Sequence, residues 1–180
     1  MRLINLILLA TVLVMLQGCV GVASNVVDRR SQGTLVEDET IETKSMAGIK
    51  EKYKDSAQIT ITSYNRFVLI TGEVPSEDFK TGIERIVYSV LGVKQIANEI
   101  HVGGMPNPSV HREDSSISRD IRSSLSRNKS IRSGTIKVTT EKGVVYLLGL
   151  VTHADANTAS ELASTANGVQ KVVRVFEYID

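Results

Sequence analysis

One pattern in this 180-residue chain is written twice, and that repetition limits the possible folds more than any other feature. "QITITSYNRFVLITGEV" (58–74) aligns with "TIKVTTEKGVVYLLGLV" (135–151), which sets Gly72 on Gly149 and Val74 on Val151 at an offset of 77. Further on, "LGVKQIANEI" (91–100) aligns with "NGVQKVVRVF" (167–176) and sets Gly92 on Gly168 at an offset of 76. Agreement of type and order over about 60 residues is a duplication, and two copies are too few for a solenoid. The chain is two small domains in series.

Both copies read alike. Each opens on an amphipathic segment, near 38–53 and 115–127, followed by the alternation Ile59/Ile61 or Ile136/Val138 of a half-buried strand. A polar turn, "SYNR" or "TEKG", leads into a nearly continuous apolar strand and so predicts a hairpin. A helix follows from Ser76 or Thr152, with Thr152 and Asp155 spaced as a variant capping box. Its apolar positions are Phe79, Ile83, Ile86, Val87 and Val90 in one copy and Ala156, Ala159, Leu162, Ala163 and Ala166 in the other. Gly92 and Gly168 stand where left-handed C-terminal caps are expected. A last strand, 93–102 or 169–179, closes an α-β-β-α-β unit. The fold class is α+β, each unit a three-stranded mixed sheet covered on one face by two helices. Gly72 and Gly149, inside strands, are expected to let a helix pack closely on the sheet. Units this small have marginal cores, so contacts between them matter to stability.

Residues 1–18 carry Arg2 and an apolar run from Leu6 to Leu16 broken only by Thr11. The run matches a signal-peptide core and falls short of the roughly 20 residues a membrane-spanning helix needs. It ends in Leu16-Gln17-Gly18-Cys19, which resembles the bacterial lipobox, where the thiol is diacylated and the chain is cut before the cysteine. Lipidation is therefore expected at Cys19, the only cysteine, and no intrachain disulfide is possible. Acyl chains worth about 0.8 kcal/mol per buried CH₂ hold such a protein on a membrane stably. Val20, in place of aspartate, resembles the pattern of lipoproteins sent on to the outer membrane. Residues 19–36 read as a tether, 37–102 as the first domain, 103–113 as a linker containing Gly103, Gly104, Pro106 and Pro108, and 114–180 as the second domain.

With 21 basic and 20 acidic residues, attraction to an anionic partner must come from local patterning. "SSISRDIRSSLSRNKSIR" (115–132) supplies it, with Arg119, Arg122, Arg127, Lys129 and Arg132 against Asp120, a net charge of +4. Ile117, Ile121 and Leu125 form a narrow apolar stripe that must face the sheet, which leaves Arg119, Arg122, Ser126 and Lys129 on the other side. The corresponding segment of the first domain, 37–54, has four lysines against five acids, a net charge of −1. The stripe was kept while the outer face diverged in sign. Enzyme chemistry is not expected: His101, His111 and His153 lack metal-site spacing, Cys19 is expected to be acylated, and no serine sits in a nucleophile-elbow context. No cofactor, metal or nucleic-acid partner is expected.

The lipobox, the duplicated unit and the strand signatures "VLITGEV" and "YLLGLV" together resemble the BON-domain family, and within it the dual-BON outer-membrane lipoproteins. The resemblance covers the leader, both domains and the linker, and "KVTTEKGVVYLLGLVT" is its most specific piece. It implies a lipid-anchored protein on the periplasmic face of the outer membrane that supports envelope integrity and gathers at the division site. It also implies that the second domain binds an anionic phospholipid such as phosphatidylglycerol through its first helix. Mapped here, the contact set is Ser116, Ile117, Arg119, Arg122, Ser123, Ser126 and Lys129. Family members carry a tryptophan at the start of that helix, where this chain has Ser116 and no tryptophan anywhere. Headgroup contact at the surface is therefore expected in place of deep insertion. A competing expectation is protein docking, with the acidic entry "VEDETIE" (36–42) of the first domain meeting an envelope protein such as the outer-membrane assembly machinery.

Overall fold

The computed structural model describes residues 28–103 and 108–180; Cys19, the apolar leader and most of the tether lie outside the described residues. The first domain runs α1 (Gln32–Tyr53), β1 (Gln58–Tyr64), β2 (Phe67–Val74), α2 (Glu77–Tyr88) and β3 (Gln95–Val102). The second repeats it as α3 (Pro108–Arg127), β4 (Ile136–Glu141), β5 (Val144–Val151), α4 (His153–Ser164) and β6 (Lys171–Tyr178). Each sheet is mixed. β2 pairs antiparallel with β1 and parallel with β3, and β5 does the same with β4 and β6.

Both first helices begin earlier than the sequence suggested. Ser31 caps α1 by accepting the Thr34 N–H at 3.1 Å, so residues 32–36 are helix and not tether. Pro108 opens α3, so residues 108–113, expected in the linker, are its first turns. Proline fits there because its missing N–H would have had no partner inside the helix in any case. Thr152 caps α4 through the Asp155 N–H at 3.1 Å, while the Asp155 carboxylate turns away to Arg29.

Two glycine expectations need correction. A Cβ on Gly72 would lie 2.0 Å from the Gln58 carbonyl oxygen, and one on Gly149 would lie 2.4 Å from that of Thr135. The close neighbour is the backbone leading into the adjacent strand, not a helix. Gly92 and Gly168 do have positive φ, 100° and 85°, but they sit in the turns after α2 and α4, not on the helix ends. There the Val93 N–H bonds back to Val90, and the Val169 N–H to Ala166. Each glycine is thus the third residue of a tight turn, a place that favours positive φ.

Alternation along the strands divides each sheet into two faces. Val68, Ile70, Val74 and Ile100 meet Ile41, Ile49, Ile83 and Val87 from the helices in one core. Val145, Leu147, Val151 and Phe176 meet Ile117, Ile121, Leu125, Ala156, Ala159 and Ala163 in the other. The opposite faces are not left to solvent. Tyr64 and Leu69 pack with Tyr146, Leu148 and Val175 in a third core shared by the two domains. The molecule is a helix–sheet–sheet–helix sandwich, with the duplicated Thr62 and Thr139 meeting hydroxyl to hydroxyl at 3.4 Å. Polar contacts close its edges: Asn65 to Glu177 at 2.6 Å, Lys137 to Glu42 at 2.7 Å, and Lys142 to the buried carboxylate of Glu73.

Two features had no signal in the hydropathy pattern. Asp38 and Asp114, equivalent and buried, each clamp a hairpin turn: Asp38 accepts the N–H groups of Asn65 and Arg66, Asp114 those of Lys142 and Gly143. The segment before α1 bridges the domains. Arg29 donates to the Leu150 carbonyl at 2.7 Å and pairs with Asp155, while Arg30 pairs with Asp28 and Asp38 and lies 3.9 Å above the Tyr64 ring. Burial opposes the charged form of Asp28, but hydrogen bonds and charge from Arg30 outweigh it and hold the carboxyl below its ordinary range.

Candidate functional site

The sequence placed its candidate contacts on α3, and the helix is fixed to its sheet at four levels. Asp114 holds the turn between β4 and β5 from the first half of the helix. Lower down, the Ser118 hydroxyl bonds Thr140 at 2.8 Å, both groups being buried. Arg122 then donates to the Val138 carbonyl at 3.1 Å, using an acceptor that edge strand β4 leaves unpaired on that side. Leu125, fully enclosed, ends the series. Together these contacts set the helix rotation, and rotation decides what faces outward.

Ser116, Arg119, Arg122 and Ser126 are exposed, as is Lys129 in the turn beyond the helix. Ser123 is half-buried, and it accepts a bond from the Arg127 guanidinium. Ile117 does not belong with them. It is 7% exposed, lies in the core of the second domain and abuts Gly168, because it heads the Ile117–Ile121–Leu125 stripe. The structure thus brings Ser116, Arg119, Arg122, Ser126 and Lys129 to one surface and removes Ile117 from it.

Arg112 was missed. Taking residues 103–113 as linker hid its place on α3, seven residues before Arg119 and so on the same line of the helix. Pro108, as a first-turn residue, was the signal that could have found it. Among the described residues, Arg112, Arg119, Arg122, Arg127, Lys129 and Arg132 have no carboxylate within ion-pair distance. The serines partly serve the helix itself: Ser115 bonds the His111 carbonyl and Ser126 that of Ser123, each at 2.8 Å. Such a surface offers guanidinium groups and hydroxyls to an anion that arrives from solvent.

The acids of the first helix are spent differently. Asp38 is buried, Glu42 bonds Lys137 and the Ser63 N–H, and Glu37 lies 3.5 Å from Arg66. The entry expected to attract a protein partner is mostly engaged inside the molecule.

Among the described residues, no helix is long and apolar enough to cross a membrane, and no group of three or more His, Cys, Asp or Glu side chains is gathered as metal ligands would be.

Comparison with known proteins finds the BON domain twice, over residues 37–104 and 113–180. The chain is 34% identical over 177 residues to the outer membrane lipoprotein DolP of Haemophilus influenzae, spanning 93% of this chain and 92% of that protein. It is also 34% identical over 155 residues to a 21 kDa hemolysin of Actinobacillus pleuropneumoniae, spanning 85% of this chain and 80% of the relative. The osmotically-inducible protein Y of Escherichia coli is 26% identical over 144 residues, covering 78% and 72% of the two chains.

Proposed function

The chain belongs to the BON-domain family, and from that premise we propose that it is an outer-membrane lipoprotein that binds anionic phospholipid through the outer face of α3. In this reading Cys19 carries the lipid anchor, the two domains face the periplasm, and the protein supports outer-membrane integrity at the division site. The name of the Haemophilus influenzae relative supports the outer-membrane lipoprotein part. The observation that carries the lipid part is the row of exposed α3 cations, Arg112, Arg119, Arg122 and Arg127, with no carboxylate partner among the described residues, set against a sister helix whose acids are largely used inside the protein.

Magnitude favours a weak and reversible contact. Each basic residue close to an anionic bilayer contributes about 1 kcal/mol, and the field fades within a Debye length of about 8 Å in physiological salt. Four such residues would bind poorly from free solution. With a tether already holding the protein near the bilayer, the same energy is enough to set orientation, because the second contact becomes intramolecular.

The test is co-sedimentation of the folded domains with phosphatidylglycerol vesicles across a salt series. Binding should weaken steadily with salt, and Arg119→Glu with Arg122→Glu should abolish it. Retention of full binding by that double variant would remove α3 from the reading. Capture of an envelope protein by cross-linking, with no vesicle binding at any salt, would favour the docking alternative.

A further inference from the structure

Exposed apolar side chains are unevenly placed on this molecule. Leu91 is 93% exposed and Tyr88 70%, both in or beside the turn after α2. Val36 on α1 and Tyr178 and Ile179 at the end of the chain are the other large ones at the same pole. Hydrogen bonds tie these segments together. The Lys94 N–H bonds Arg66, Asn65 bonds Glu177, and the Ile179 N–H bonds Val151. Arg29 joins the end of β5 to this pole through Leu150. At the opposite pole Val102 is the one exposed large hydrophobic among the described residues.

Two further observations point to what covers this end. The chain enters the fold here, at Asp28–Ser31, only nine residues after Cys19. Fully extended, nine residues span about 30 Å, so an anchored Cys19 would keep this pole within that distance of the bilayer. Helix α3 also ends at this pole: its contacts move from Gly143 through Thr140 to Val138, so Arg127, Lys129 and Arg132 lie beyond the start of β4. Most acids at this end are engaged, Glu37 with Arg66, Glu177 with Asn65, Asp155 with Arg29 and Asp180 with His153.

We propose that this pole is a membrane-docking end, where Leu91 and Tyr88 of the first domain enter the headgroup layer while the C-terminal part of α3 supplies cations. The inference rests on the phospholipid reading for its ligand and adds to it a contact from the other domain. Leucine and tyrosine suit the interface because each buries apolar surface, and the phenol keeps its polar tip in the wet headgroup region. The first domain thereby supplies the apolar contact that α3 lacks, since its exposed residues Ser116, Arg119, Arg122 and Ser126 are all polar.

The absence of tryptophan makes the test direct. Chain 19–180, which contains every element described above, can be coupled through Cys19 to a maleimide lipid in phosphatidylethanolamine–phosphatidylglycerol vesicles. Tethering then does not depend on α3 binding or on natural acylation. A Leu91→Trp reporter should shift to the blue and be quenched by lipids spin-labelled near the headgroup, whereas a Val102→Trp reporter should not. Equal quenching of the two reporters would overturn the proposal, as would shielding of the Leu91→Trp reporter that needs a second copy or another protein. Untethered, Tyr88→Ser with Leu91→Ser should partition to the same vesicles about tenfold more weakly with an unchanged unfolding midpoint. The two readings separate cleanly. If Arg119→Glu with Arg122→Glu leaves vesicle binding intact while the Leu91→Trp reporter is still quenched, the assignment of the outer face of α3 fails, and the pole, with Arg127, Lys129 and Arg132 as its cations, stands.

Discussion

Asp38 and Asp114 occupy one position of the duplicated unit, and each is a charged side chain taken out of water at the base of a hairpin. Burial of a carboxylate is tolerable only where hydrogen bonds replace its hydration, and here two turn N–H groups do so in each domain. Removing the carboxylate leaves those groups without partners. Asp114→Ala is therefore expected to cost about 2–3 kcal/mol in urea denaturation. Asp38→Ala should cost more, because Asp38 also accepts from Ser63 at 2.6 Å and pairs with Arg30, whose cation would lose a partner. A smaller loss at position 38 than at 114 would contradict this account. Gly72 and Gly149 give a second residue-level expectation. Alanine at either meets a backbone oxygen that cannot move without unzipping a strand pair, so each substitution should destabilise by at least about 2 kcal/mol. Gly72→Ala should be the worse, since its Cβ would come closer and its φ of 125° is one that an L residue rarely adopts. Thermal melts of the two variants rank them directly.

At the level of elements, α3 has to be both a core helix and a charged surface, and its arginines divide between those duties. Arg122 closes the edge of β4 through Val138, whereas no protein acceptor for Arg119 is found among the described residues. Arg122→Glu is thus expected to lower stability by about 1 kcal/mol, the usual net worth of a hydrogen bond, and Arg119→Glu to leave it unchanged. Both should weaken vesicle binding, so paired melts and co-sedimentation tell a lost lipid contact from a loosened strand edge. A melt in which Arg119→Glu is the more damaging would reverse the division. The same helix shows how far sequence carried. Its stripe Ile117, Ile121 and Leu125 was legible because spacing alone implies one buried face, and the hairpins and the helices after them followed from alternation and capping. Its first two turns were not legible, because clustered prolines signal a break, whereas Pro108 sits at the one helical position that tolerates it. The placement of Ile117 in the contact set conflicted with the stripe that the same sequence displayed, and packing decided for the stripe.

For the whole molecule, the contact between the two sheets was the part that sequence hid. The second faces of β1 and β4 carry Thr60, Thr62, Lys137 and Thr139, a pattern that suits solvent as well as it suits a polar rim around a small core. Only the pairing of Tyr64 and Leu69 with Tyr146, Leu148 and Val175 shows which it is. That shared core makes a prediction about alkaline pH. Burial pushes the phenols of both Tyr64 and Tyr146 up from 10.0 to about 12, reinforced at Tyr64 by the negative charge of Asp28 and at Tyr146 by that of Glu99. A group whose folded value is raised favours its protonated form in the fold, so its stabilising share is fully present below pH 10 and is lost as pH rises towards about 12. Ionising either phenol places a new anion between the sheets, and the association of the domains should weaken over that window. Phenolate absorbance of the wild type, minus that of Tyr146→Phe, should rise near pH 12, and small-angle scattering should show the domains separating in the same range. A difference curve centred at pH 10 would mean that water already reaches the phenol, and that the two domains are not closed on each other in solution. Because α3 and the turn after α2 belong to different domains, it is the closed pair that sets them side by side at one pole. The alkaline titration therefore also tests the geometry on which a joint membrane contact depends.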